Sequence, residues 1–214
     1  MDINQTEEQQ VETIKRIWNE YGNSIIAGLT IGFAGFIGFN YYQDNKLQNE
    51  VATADAYQAI VELNTEESAD KFRQQGDKFL TEHADSNYTV LTALTLAKDA
   101  ASHKDWSKAE GYLTTAIEKS NDAAIKGIAT LRKARVQLQQ EKADLALATL
   151  AAPLAESFKS AAEEIKGDAY LAQEKTELAR TAYQAAIEAS DGGAAPTLQM
   201  KLDDLAENIN LAKQ

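Results

Sequence analysis

The side chains that could do chemistry are few and scattered. The chain has two histidines, His83 and His103, and no cysteine. The histidines are isolated, without an acidic partner at helical spacing that would make a two-histidine metal site, and both read as surface residues. The acidic pairs Glu163-Glu164 and Asp203-Asp204 are adjacent in sequence, so on a helix they point about 100° apart and make no carboxylate dyad. Without cysteine there is no disulfide, thiolate zinc site or thiol nucleophile. No glycine-rich phosphate loop or nucleophile elbow is present. This inventory argues against an enzyme and implies no metal and no cofactor. What remains is recognition by a surface.

That surface is read from an internal repeat beginning near Tyr88. Small residues Ala97, Ala134 and Gly167 each precede another small residue, Ala109, Ala146 and Ala179, by twelve positions. Leu113, Leu150 and Tyr183 follow four positions later, and Ala116, Pro153 and Ala186 three after that. The units step by 37 and then 33 residues. A helix–turn–helix unit of about 34 residues needs small residues where its helices cross and larger ones where it meets the next unit. Trp106 and Tyr170 take aromatic positions of the tetratricopeptide repeat, while Lys133, Thr176 and Pro153 fit it poorly. The competing reading is an irregular helical bundle with coincidental alanines. In a repeat stack the first helix of each hairpin lines the concave face, which predicts a partner surface of Leu94, Lys98, Leu131, Arg135, Glu164 and Asp168. It is aliphatic and basic in two units and acidic in the third. A clamp for a terminal carboxylate needs Lys and Asn where this chain has Leu and Glu.

The elements that must carry this surface are all helical. Ala, Leu, Glu, Lys and Gln dominate, the two prolines are Pro153 and Pro196, and no stretch shows sustained alternation of β-branched residues. The fold class is all-α: one N-terminal transmembrane helix followed by a tetratricopeptide-like α-solenoid. The formal charge is −12. After residue 43 the chain has 19 basic and 28 acidic residues, near −9. A field of that sign repels phosphate backbones, so nucleic acid is not a partner.

The stretch from Tyr21 to Gln43 contains no charged residue. As a helix its 23 residues reach about 34 Å, enough to cross a hydrocarbon core of about 30 Å. Trp18 and Tyr21 lie at one end and Tyr41 and Tyr42 at the other, where aromatic rings favour the headgroup layer. A buried core helix would need a larger protein around it. A cleavable signal would need a short basic leader, whereas this one is about twenty residues long and includes Glu7, Glu8, Glu12 and Glu20. An interfacial helix would need a polar face. Lys15 and Arg16 before the span, against Lys46 after it, orient the N-terminus to the cytoplasm and the C-terminal part across the membrane. Ser24, Gly28, Gly32 and Gly35 share one face and predict a helix-packing surface in the bilayer.

The domain reading follows from these segments: 1–20 a short cytoplasmic leader, 21–43 the transmembrane helix, 44–86 a membrane-proximal helical hairpin, and 87–214 the repeats with a C-terminal capping helix. In the hairpin, Leu47, Val51, Ala54, Tyr57, Ile60 and Val61 form one stripe, and Ala69, Phe72, Phe79 and Leu80 its counterpart. Asn64 and Thr65 offer capping side chains between them. Gly192-Gly193 closes the third hairpin. Pro196 then opens a last helix whose Leu198, Leu202 and Leu205 cap the stack.

Taken in order, these segments resemble the YfgM family. The likeness covers nearly the whole chain. It rests on the leader with Glu12-Thr13-Ile14-Lys15-Arg16, the glycine-rich anchor and Leu131-Arg132-Lys133-Ala134-Arg135-Val136 followed by Asp144-Leu145-Ala146-Leu147. The ending Gln199-Met200-Lys201-Leu202 completes it. The resemblance implies an ancillary subunit of the SecYEG translocon in the bacterial inner membrane, with a periplasmic domain paired with the chaperone PpiD and assisting exported client proteins. It also implies a cytoplasmic link to the Rcs response regulator, and it carries no catalytic residues. The rival reading is a regulator or scaffold that acts through the leader, with the repeats only an anchor.

Overall fold

The computed structural model describes residues 7–190 and 196–211, with side chains described for 9–190 and 196–205. The first six leader residues and the Gly192-Gly193 turn lie outside the described residues. Helix α1 runs Glu7–Glu62, α2 Ala69–Glu82, α3 Asn87–Ser102, α4 Trp106–Lys119, α5 Ala123–Gln139, α6 Ala143–Thr149, α7 Lys159–Ala172, α8 Thr176–Glu188 and α9 Pro196–Leu211. No strand occurs among the described residues. The chain divides into two units, Met1–Ala52 and Thr53–Gln214.

In the first unit the large apolar side chains of the span are exposed. Ile25, Ile26, Leu29, Ile31, Phe33, Phe36, Ile37 and Phe39 are all exposed, and only 6% of the most apolar window is buried. A soluble core helix would be mostly covered. Leu47 and Val51 are exposed as well.

The second unit is built by repetition. Lys104, Glu141 and Glu174 have φ of 59°, 62° and 60°, and they are separated by the same 37 and 33 residues as the small positions. Each ends the first helix of a hairpin in a left-handed residue. The next amide then donates back five positions, Asp105 to Ala100, Lys142 to Gln137 and Lys175 to Tyr170, each at 2.9 Å. This closure satisfies carbonyls that a helix end leaves open. Three identical turns at one register establish three hairpins, α3–α4, α5–α6 and α7–α8.

The small residues sit where the helices cross. Ala109, Ala116, Ala134, Ala146, Ala179 and Ala186 are all fully buried. Gly167 needs its missing side chain, since a Cβ there would lie 2.3 Å from the Tyr183 ring. The other two units pair Ala with Leu at these places (Ala97 with Leu113, Ala134 with Leu150). Trp106 and Tyr170 pack at the edges of their clusters. Leu198 and Leu205 of α9 are buried against Tyr183, with Leu202 beside them, so α9 covers the end of the stack.

Three local expectations are corrected. Pro153 is not in a helix crossing: α6 stops at Thr149 and Pro153 is exposed. Proline lacks an amide donor and biases the residue before it away from the helix, so the hairpin is cut short. Phe158, from the short 3₁₀ turn Glu156–Phe158, packs on the second cluster instead, and a Cβ at Gly127 would lie 2.3 Å from its ring. Thr65 makes no side-chain cap; it precedes a 3₁₀ turn, Glu66–Ser68, and α2 starts only at Ala69. The stripe toward the end of α1 is covered only in part: Ile60 is buried with Phe72, Phe79 and Leu96, while Val61 is exposed. That cluster takes Leu96 from α3, so α2 packs on the first repeat as well as on the last turns of α1.

Candidate partner-binding surfaces

The small-residue face of α1 is open. A Cβ built at Gly28, Gly32 or Gly35 meets nothing within 4 Å, and Ser24 is exposed. Gly22 differs, because Trp18 lies over it at 3.4 Å.

On the repeat stack the six expected surface residues separate. Lys98 and Arg135 are exposed. Leu131, by contrast, is 6% exposed and belongs to the core cluster with Ala134, Ala146 and Ile165. It is therefore corrected from surface to core. Leu94 is also drawn inward, half-buried against the first cluster. The physical reason is angular: a residue three before the crossing position sits about 300° round the helix from it, on the side that the neighbouring helices cover. One turn earlier, Leu91 and Ile128 are 39% and 38% exposed. The sequence reading missed them, although an aliphatic residue at both ends of a 37-residue step was a visible signal.

Glu164 and Asp168 are not open either. Lys201 of α9 donates to Glu164 at 2.9 Å and to Asp168 at 2.7 and 2.9 Å. The Tyr183 hydroxyl donates to Asp168 at 2.7 Å, and the Lys201 ammonium lies 5.6 Å from the Tyr183 ring centroid. Burial pulls the Lys201 pKa down, but its bonds to Asp168 and Glu164 outweigh burial and leave it raised. The Tyr183 phenol is pushed well above its usual range by burial and then by its bond to Asp168. Arg135 approaches Glu164 only to 3.9 Å. The acidic third of the expected surface is thus a polar seat for α9.

A second polar lock joins α2 to the first repeat. Arg73 holds Asp99 with Nε at 2.6 Å and Nη2 at 3.3 Å, and Tyr112 donates to Asp77 at 2.7 Å. The hydrogen bond to Asp99 is the main cause that raises the Arg73 pKa. His103, in the turn after α3, lies against this lock, 3.2 Å from Arg73. The expectation that His103 has no acidic partner at helical spacing is corrected: Asp99, one helical turn before it, lies 3.5 Å from its Nδ1, and that four-residue spacing was the sequence signal for the cluster. His83 is half-buried, its ring tilted against that of Phe79 with the centroids 4.6 Å apart. Glu163 pairs with Lys166 at 2.7 Å while Glu164 turns to Lys201, so the adjacent carboxylates diverge. Among the described residues no group of three His, Asp or Glu side chains is placed to hold a metal ion.

A family model described as a tetratricopeptide repeat-like domain matches residues 15–207. The chain is 33% identical to an ancillary SecYEG translocon subunit of Aggregatibacter actinomycetemcomitans, over 93% of this chain and 97% of that protein. It is 29% identical to the protein of the same name from Escherichia coli, over 96% of this chain and 100% of that one. Among solved structures, the first tetratricopeptide domain of human RPAP3 is similar at a TM-score of 0.49 and 15% identity, over 58% of this chain and 94% of that one.

Proposed function

The chain belongs to the YfgM family of ancillary SecYEG translocon subunits, built on a tetratricopeptide repeat-like domain, and from that membership we propose that it is a membrane-anchored, non-catalytic protein-binding module of the Sec translocon. Its α1 span crosses the bacterial inner membrane once, with the N-terminus cytoplasmic and the repeats periplasmic. The repeats assist the transfer or chaperoning of newly exported proteins, together with PpiD. The observation that carries this reading is the conjunction of an uncovered apolar helix and a complete, capped repeat stack in one chain. An apolar span of this length is stable in lipid, and a repeat stack offers an extended surface to another chain.

The experiment is purification of the full chain from membranes in mild detergent. SecYEG and PpiD co-purify on this reading, and removing residues 1–20 leaves both the complex and export intact. Loss of the export function on leader deletion alone, with the repeats dispensable, would instead favour a leader-borne link to the Rcs regulator.

A further inference from the structure

Two stripes of the stack face outward with the same chemistry. On α3, Leu91 is followed seven residues later by Lys98; on α5, Ile128 is followed seven residues later by Arg135, with Arg132 between them. The 37-residue step between the pairs is the repeat step itself, so the two helices present them at equivalent places. All five side chains belong to exposed residues. Seven residues of helix span about 10 Å. The aliphatic side chains therefore form one row, Lys98 and Arg135 form a second about 10 Å away, and Arg132, four residues from Ile128, lies between the two. At the equivalent place on α7 stands Asp168, already held by Lys201, which ends the basic row. Lys98 and Arg132 have no acidic partner among the described residues, and Arg135 has only Glu164 at 3.9 Å. In a chain of charge −12, a face that presents three loosely held cations has the opposite sign from its surroundings.

We propose that this two-row face receives an amphipathic helix of a partner protein, one whose aliphatic stripe is flanked by a row of Asp or Glu. The inference rests on the reading that the repeats hold a partner chain, and it specifies the partner's chemistry. A helix is about 10–12 Å across, so one helix meets both rows at once. An extended strand sends alternate residues to opposite faces and offers only one row. The aliphatic row supplies apolar burial, while the cationic row admits acidic helices and repels basic ones.

The test uses the full chain in detergent micelles and fluorescent synthetic helices read by anisotropy. One peptide carries a leucine stripe flanked by glutamates, a second has lysines for the glutamates, and a third has the same composition with the faces scrambled. The glutamate peptide binds best. Lys98→Glu with Arg135→Glu weakens it about tenfold or more and improves the lysine peptide, the magnitude expected when about 1.4 kcal/mol is lost. Leu91→Ser with Ile128→Ser weakens both peptides, and neither pair shifts the melting curve. Equal binding of the glutamate and lysine peptides, or indifference to both double substitutions, overturns the proposal. So does a change in the chain's own oligomeric mass on the same substitutions, which would make the face a contact between copies. If the variants lose no peptide but SecYEG still co-purifies, the face is wrong and the translocon reading stands. If co-purification fails and the peptide pattern holds, the reverse is true.

Discussion

Residue 167 shows how a repeat accommodates one large side chain. Tyr183 stands where the other two units have leucine, and Gly167 stands where they have alanine, because a Cβ would be 2.3 Å from the ring. Gly167→Ala should overpack the third hairpin and cost about 1–3 kcal/mol in chemical denaturation. Adding Tyr183→Leu should return part of that loss, so the double-mutant cycle gives a coupling of about 0.5–3 kcal/mol. Strict additivity would show that the two residues do not share the space. Conversely, Lys104, Glu141 and Glu174 hold a left-handed conformation that costs a side-chain-bearing residue about 1–2 kcal/mol. Each change to glycine should therefore stabilise or leave unchanged, and a clear loss at all three would mean that the turns are not closed as described. Lys201 makes a statement about pH. Its pKa is raised above the usual 10.5, so its contribution is complete below that value and is lost as pH rises through the raised one. Tyr183 adds in the same direction. Alkaline titration of the wild type should loosen α9, and Lys201→Met should remove much of that dependence.

At the scale of elements, the sequence told which positions are small but not which face of each helix would stay open. The twelve-residue offsets are legible because a helix crossing admits only small side chains, and buried alanines mark it in every unit. The outward face is set by neighbours that the offsets do not describe. Leu131 was expected outside and is packed inside, while Ile128, one turn away, is open. Leu131→Ala should then cost about 2–5 kcal/mol, and Ile128→Ala should stay within about 0.5 kcal/mol. Similar melting temperatures for the two variants would refute this assignment. The short α6 was half legible, since Pro153 fitted the repeat poorly, but its replacement by Phe158 over Gly127 depends on a loop that has no periodicity. Lys201 was invisible as a seat partner because its carboxylates lie 33 and 37 residues away on α7. Within α1, Gly28→Leu with Gly32→Leu adds bulk to an open face, so a membrane partner that packs there should be lost from the purified complex while insertion persists. Unchanged co-purification would remove that face from the account.

Across the whole molecule, charge and apolarity are segregated along the chain. The 23 residues from 21 to 43 carry none of its charged residues, and the repeats carry the acid excess with one basic, aliphatic face. That segregation fits the proposed role of a membrane-anchored module that holds other chains. The most direct measurement places a photoreactive amino acid at Ile128 or, separately, at Leu145, in cells that are exporting a stalled protein. Both sites are exposed aliphatics, 38% and 49%, one on α5 and the other on α6. The account predicts a crosslink to a partner chain from Ile128 and little from Leu145. Equal crosslinking from the two, or crosslinking from Leu145 alone, would contradict it.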